Sequence, residues 1–296
     1  AVRSFKAAQR LDPNCAMCFW GEALAIGPNI NVTNKGKVVM SPADREKAFA
    51  AIQVASSLKS TVTEAERDLI DALSARYNGD ISSDREPLDL AWAEAMAAYT
   101  VNYPNDNTAV AIYAEALMNT MPWNYWSDDR IAKPETKKVI EALENVLLLE
   151  PDHPLALHLY IHALEASNEP ERAEDEADRL LELVPGAGHL VHMPSHIYYR
   201  IGRYQDAADS NMRAAAVDEA YIAACNAQGF YPAAYYPHNI HFLWASATMQ
   251  GQSKLSIQSA QRVVDNVNIE QVQAFPTIEF FRTVPLLSLV RFAKWK

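Results

Sequence analysis

The sequence is poor in cysteine, in glycine and in positive charge, and each shortage excludes a class of protein. Of its 296 residues, only three are cysteine and nine are glycine. Three cysteines are too few, and odd in number, for a disulfide framework. The formal net charge is −11, whereas nucleic acids and anionic membranes attract positively charged surfaces. No apolar run approaches the roughly 20 residues of a membrane-spanning helix. We therefore expect no nucleic-acid partner and no membrane span.

What the chain does contain favours helices. It is 49% hydrophobic and rich in alanine and leucine, the composition of helical proteins. Residues 1–10 have the pattern of a helix interior and not of a signal peptide. Cys15 and Cys18 form a CxxC motif, but Phe19 follows where covalent attachment of c-type haem needs a histidine. This motif predicts a redox pair, a soft metal ligand or simply two small residues.

A repeated pattern of paired helices runs through the chain. The opening residues AVRSFKAAQRLDP place Ala1, Phe5, Ala8 and Pro13 at spacings of 4, 3 and 5. This spacing resembles the second helix of a tetratricopeptide repeat, a helix-turn-helix unit of about 34 residues. Similar segments recur, and we predict helix pairs at 63–77 with 88–103, 107–119 with 134–149, 154–167 with 171–183, 189–202 with 204–217, and 237–250 with 254–267.

The resemblance implies an all-α fold, a right-handed superhelical α-solenoid of antiparallel helix pairs. We expect one solenoid over residues 1–296, beginning and ending inside a repeat. Two aromatic-rich insertions, at 121–133 and 218–236, interrupt it. Apolar faces at incomplete ends favour self-association.

The eight histidines all lie within residues 153–241, and several are helical neighbours. HLYIH and HMPSH each place two histidines four residues apart, and HNIH places two three apart, so each pair shares one helix face. In the repeat register, the resemblance assigns these faces to the concave groove. The other groove-lining positions, including those contributed by the insertions, are His189, Cys15, Cys18, Trp123, Trp126, Tyr236 and Asn239.

This pattern predicts a site for a transition metal, because imidazole binds Zn, Cu and Fe well. The identity of the metal stays open between these three. The alignment of WGEALA, YAEALM and YIHALE adds two glutamates to the histidine face. The candidate ligands are His158, His162, His192, His196, His238, His241, Glu115 and Glu22.

Two alternatives remain. The groove is also suited to an extended or helical peptide, which is the usual role of such repeats. A metal-dependent enzyme is the second alternative, with the aromatic insertions covering a pocket. Catalytic residues are unknown, because the sequence has no phosphate-binding loop, nucleophile elbow or HExxH motif.

A narrower resemblance is carried by three segments: GHLVHMPSHIYYRIGRY, HPLALHLYIHALEAS and YYPHNIHFL. With the CAM-x-xWG segment near the start, they are similar to a bacterial family of tetratricopeptide-repeat proteins. Members of that family are often exported. The resemblance therefore implies a periplasmic or extracellular location, and it gives no activity.

Overall fold

The computed structural model describes residues 1–295, and these are 72% helical. The prediction of an all-α chain is confirmed. The α-helices are α1 (Val2–Leu11), α2 (Ala16–Ile26), α3 (Pro42–Ser57), α4 (Glu64–Ser74), α5 (Glu86–Asn102), α6 (Asn107–Thr120), α7 (Pro134–Leu149), α8 (Pro154–Leu164), α9 (Glu174–Leu183), α10 (Gly188–His192), α11 (Pro194–Ile201), α12 (Tyr204–Cys225), α13 (Tyr236–Met249), α14 (Ser253–Asp265), α15 (Ile269–Ala274) and α16 (Val284–Arg291). Short 3₁₀ helices cover Lys59–Thr61, Pro170–Ala173 and Pro276–Thr283, and a π-helix covers Tyr231–Tyr235.

Local sequence signals explain several helix ends. Ser41 accepts a hydrogen bond from the backbone of Asp44 and caps α3, with a proline next to it. Thr63 and Glu66 form a reciprocal capping box at α4. Gly202 ends α11 in the left-handed region, at φ 86°. Side-chain oxygens satisfy the exposed N–H groups of a first turn, and glycine adopts positive φ without a Cβ clash.

The chain divides into two compact units, residues 1–159 and 160–296, with the boundary inside α8. In the first unit, each helix from α1 to α6 packs against the next one along the chain. Its core consists of fully buried side chains: Ile52, Ile70, Leu73, Trp92, Met96, Met118 and Leu143. Packing in chain order is consistent with an α-solenoid.

A small β-hairpin interrupts the helices of the first unit. β1 (Thr33–Asn34) pairs antiparallel with β2 (Lys37–Val38). Lys35 and Gly36 between them have φ of 51° and 75°, the two positive values that a tight hairpin turn of type I′ requires.

In the second unit, α12 packs against α10, α11 and α13, and α13 packs in turn against α14. The helix predicted for residues 189–202 is divided into α10 and α11, because Pro194 has no N–H to donate to the preceding turn. α12 continues to Cys225, so the first half of the predicted insertion at 218–236 is helical. The second half includes the π-helix, which runs directly into α13.

Close packing of α1 on α2 gives a test of the first unit. A Cβ at Gly21 would lie 2.2 Å from a ring carbon of Phe5. Gly21→Ala should therefore lower the free energy of unfolding by about 1–3 kcal/mol, the usual cost of overpacking. Urea denaturation of Gly21→Ala, Phe5→Ala and the double variant measures this effect. The double variant should lose less free energy of unfolding than the sum of the two single losses, because the new methyl group no longer meets the Phe5 ring. Losses that simply add would contradict this packing contact.

Candidate metal centre

Three histidines of the second unit meet at one point. His192 is the last residue of α10, His196 lies in the first turn of α11, and His238 lies in the first turn of α13. The Nε2 atom of His192 is 2.9 Å from Nε2 of His196 and 3.1 Å from Nε2 of His238. One nitrogen from each of the three lies within 4.8 Å of the other two. We call these three residues the histidine triad.

Partners on the far side of two rings determine where their protons lie. Nδ1 of His192 is 2.7 Å from Oδ1 of Asn211, whose Nδ2 donates to the carbonyl of Ala207. The Asn211 oxygen is therefore an acceptor, and Nδ1 of His192 donates to it. Nδ1 of His196 donates to a carboxylate oxygen of Glu165 at 2.6 Å. In the neutral form of each ring, Nε2 then carries a lone pair.

These lone pairs point at each other, which is an unusual arrangement. Nε2 of His192 and Nε2 of His196 are 2.9 Å apart, and neither carries a proton when its ring is neutral. Two acceptors at this distance repel each other unless a proton or a cation lies between them. A metal ion bound by both nitrogens removes the repulsion. The arrangement matches metal sites in which an outer carboxylate or amide holds each ligating imidazole in one tautomer.

Glu165 links the triad to a fourth histidine. Its Oε1 accepts from Nδ1 of His162 at 2.9 Å, while Oε2 accepts from His196. Burial raises the pKa of this carboxyl group, but the field of His196 and the hydrogen bonds from both imidazoles outweigh it and hold the pKa well below the ordinary value. Glu165 is therefore an anion that orients two rings.

Burial keeps two members of the triad neutral. It lowers the pKa of His192 well below 6.5, helped by the neighbouring imidazoles of His196 and His238. Burial, again helped by His196, lowers the pKa of His238 to about 3. The ring of Phe242 packs against all three imidazoles, with centroid separations of 4.5–4.9 Å. Neutral imidazoles are the form that binds metal, so protons do not compete for these nitrogens near pH 7.

A second buried network positions the helices that carry the triad. The carboxylate of Asp218 accepts from the hydroxyl of Tyr231 at 2.6 Å and from Nδ2 of Asn239 at 2.7 Å. It also stands against the first residue of α10, where a Cβ on Gly188 would lie 2.0 Å from its oxygen. Asp218 thus connects α12, α10 and the start of α13. Burial raises the pKa of Asp218 against the opposing effect of its two donors.

The remaining predicted residues of the second unit lie around this centre. His189 packs edge-on against Tyr235, with the ring centroids 5.0 Å apart. His241 lies among Trp244, Phe280 and Phe281. It belongs to none of the groups of metal-ligating atoms found among residues 1–295. Its helical spacing from His238 brought it into the sequence prediction, but its ring packs in an aromatic cluster instead.

Two more residues of the second unit were proposed as lining the groove. Tyr236 is buried, and its hydroxyl donates to a carboxylate oxygen of Glu219 at 2.6 Å. Asn239 is fully buried and donates to Asp218. Both side chains therefore connect α13 to α12.

The glutamates and cysteines proposed from the sequence lie in the first unit. His158 also belongs to the first unit; it is half-buried and lies one turn before His162 in α8. Glu22 is buried and accepts from Gln9 at 2.6 Å, with Lys6 at 3.2 Å. Burial raises the pKa of Glu115. Neither glutamate belongs to a metal-ligating group among residues 1–295.

The CxxC motif and the first aromatic insertion have structural partners. Cys15 and Cys18 form a disulfide bond at the start of α2, so the oxidised pair offers no thiolate to a metal. The indole N–H of Trp123 donates to the carbonyl of Ile30 at 2.6 Å. Trp126 forms an isolated bridge with Ala132. Both tryptophans therefore make contacts within the first unit.

Sequence reasoning missed three residues of the centre. Glu165 follows His162 by three residues and therefore shares its helix face, a signal that was present but not used. Asn211 and Phe242 come from helices whose contacts with the triad depend on tertiary packing. No spacing rule within one helix identifies them.

No protein-family model and no curated protein sequence matches the chain. The resemblance to the tetratricopeptide-repeat family therefore stays a prediction. Among residues 1–295, no helix is long and apolar enough to cross a membrane.

The buried histidines predict how stability depends on pH. The pKa of His238 is lowered to about 3 and that of His241 to about 4, whereas both return to about 6.5 in the unfolded chain. As the pH falls below about 6.5, the unfolded state takes up protons before the folded state does. The free energy of unfolding therefore decreases between about pH 6.5 and pH 4. Each group costs up to about 1.4 kcal/mol per pH unit in that window.

Urea denaturation of metal-free protein between pH 7.5 and pH 5 measures this dependence. The free energy of unfolding should fall with pH, and His241→Gln should show a shallower slope than the parent protein. A free energy that stays constant over this range, or an unchanged slope in the variant, would contradict neutral burial of these rings.

Proposed function

We propose that this protein binds one transition-metal ion through the Nε2 atoms of His192, His196 and His238. The observation that carries the proposal is the 2.9 Å separation of two Nε2 atoms whose rings both donate from Nδ1, to Asn211 and to Glu165. Three imidazoles suit zinc, copper, iron or nickel. Calcium and magnesium prefer oxygen ligands and are excluded on that ground.

The distances support a single ion. Zinc–imidazole bonds are about 2.0–2.1 Å long. Two nitrogens bound to one ion at angles of about 90–110° are therefore about 2.9–3.4 Å apart. Two of the three nitrogen pairs in the triad are separated by 2.9 Å and 3.1 Å. Only small movements of the rings are needed to admit an ion.

The surroundings favour a carrier or structural ion over a catalytic one. Three protein ligands leave a coordination position for water or another small ligand. However, His192 is fully buried, and Phe242 covers the three rings. Ser195 lies 3.3 Å from Nδ1 of His192, but that nitrogen is a donor and cannot activate a serine. The bound ion would hold α10, α11 and α13 together.

The tetratricopeptide-repeat scaffold, its right-handed superhelix and an exported bacterial parent belong to the same proposal. Packing of consecutive helices within each unit supports the scaffold. A peptide-binding groove is the alternative role for the histidines, and metal-dependent catalysis is the second alternative. The peptide-binding role needs no ion, so metal binding distinguishes it from the proposal, whereas metal-dependent catalysis requires a substrate in addition to the ion.

The first test is metal content and affinity. Protein purified without chelators should contain close to one equivalent of a transition metal by elemental analysis, or should bind one equivalent of Zn²⁺ or Co²⁺ by calorimetry after stripping. His238→Asn should reduce the affinity at least a hundredfold, because one of three ligands is lost. His241→Asn is the matched control in the same helix and should bind normally. The proposal would be contradicted if the stripped parent protein bound no metal, or if His238→Asn bound it as tightly as the parent protein.

The second test addresses the outer residue Glu165. Glu165→Gln keeps the size of the side chain but removes the negative charge and one acceptor. Metal affinity should fall about 10–100-fold, the usual effect of removing an outer carboxylate. Glu169→Gln provides a control, since Glu169 is exposed and pairs only weakly with Arg172, at 3.6 Å. Competition with a chromophoric chelator measures both variants; identical affinities would show that Glu165 does not support the site.

A further inference from the structure

The first unit contains a cavity of about 510 Å³ below the β-hairpin. Its lining includes Lys37 and Val38 of β2, Arg85 and Asp89 at the start of α5, and Asn119 near the end of α6. Its volume lies within the about 300–1,000 Å³ of small-molecule sites. The cavity and the histidine triad share no residues.

Three buried side chains that line this cavity carry unused hydrogen-bonding atoms. Nε of Arg85, Oδ2 of Asp89 and both amide atoms of Asn119 have no hydrogen-bond partner within residues 1–295. Arg85, Asp89 and Asn119 are only 6%, 1% and 3% exposed. A buried polar atom without a partner costs about 1–3 kcal/mol. Four such atoms, on three residues that line one cavity, leave hydrogen bonds that a ligand could supply.

An ion network holds two of these groups in place. Oδ1 of Asp89 accepts from Nη2 of Arg85 at 2.7 Å and from Nε of Arg76 at 3.2 Å. Nη1 of Arg85 donates to the backbone carbonyl of Arg76 at 2.9 Å. The remaining Nε of Arg85 and Oδ2 of Asp89 are therefore fixed before any ligand arrives, which reduces the entropy lost on binding.

The signs of the unused atoms restrict the ligand. Arg85 and the Asn119 nitrogen offer donors, whereas Asp89 and the Asn119 oxygen offer acceptors. An anion would meet the Asp89 carboxylate, and a cation would meet the Arg85 guanidinium. At the hairpin, Lys37 and Glu86 already neutralise each other as an ion pair. Hydroxyl groups suit this mixture because each donates and accepts at once.

We propose that this cavity binds a small, uncharged, polyhydroxylated molecule, such as a monosaccharide or a cyclic polyol, through Arg85, Asp89 and Asn119. Adjacent hydroxyls of the ligand donate to Asp89 and to the Asn119 oxygen, and accept from Arg85 and the Asn119 nitrogen. The apolar wall contributed by Val38, together with Met40 and Met121, contacts the C–H faces of the ring.

Saturation-transfer NMR and calorimetry test the proposal on the full chain. The probes are D-glucose, D-galactose and myo-inositol, with inorganic phosphate and putrescine as charged comparators. At least one uncharged probe should bind saturably, and neither charged comparator should. Asn119→Ala should weaken that binding at least tenfold, while Asn102→Ala, at an exposed position in α5, should leave it unchanged.

Folding of the variant is controlled separately. Thermal unfolding should show Asn119→Ala to be no less stable than the parent without ligand, because the amide has no partner in the chain. Asn119→Leu, which preserves bulk, serves as a second variant and should also lose binding. The proposal is overturned if no uncharged probe binds, if only phosphate or putrescine binds, or if binding survives both substitutions. None of these results bears on metal binding by the histidine triad.

Discussion

The hydrogen bond from His196 to Glu165 determines the chemistry of the candidate centre. It places the proton of His196 on Nδ1 and directs the lone pair of Nε2 at His192. Asn211 does the same for His192 from the opposite side. If either ring adopted the other tautomer, an N–H···N hydrogen bond would join the two histidines, and no cation would be needed. The outer partners therefore decide whether the two Nε2 atoms could share a cation or would be joined by a hydrogen bond.

The break between α10 and α11 is what allows this geometry within a helical protein. Pro194 interrupts the hydrogen-bond ladder, while the backbone of Met193 stays in the right-handed helical region. His192 and His196 consequently remain on one face, as their spacing predicts. The helix break leaves them at neighbouring helix ends, near the first turn of α13. His238 reaches them from there, and Asp218 fixes that approach through Tyr231 and Asn239.

Local spacing predicted what lies within one helix and failed where tertiary packing decides. The Ala-rich composition and the paired periodicity predicted an all-α chain, and the HMPSH spacing predicted a shared face for His192 and His196. The same rule included His241, whose ring instead packs among aromatic residues. Glu22 was aligned with histidines by repeat register alone, but its carboxylate bonds to Gln9 and Lys6 of the adjacent helix. Asn211 and the hairpin at Lys35 depend on contacts and turn geometry that the repeat pattern does not encode.

The proposed cation would relieve an unfavourable contact within the triad. Burial of a neutral imidazole is inexpensive when both ring nitrogens have complementary partners. In His192, Nδ1 has such a partner, but Nε2 faces the lone pair of His196 at 2.9 Å. A proton held between His192 and His196 would relieve only that one contact, and burial lowers the pKa of His192. A metal ion brings more charge and forms bonds to several nitrogens at once, and its binding energy then stabilises the folded state. The carboxylate of Glu165 offsets part of that charge, so the pairing that sets the tautomer also favours the ion.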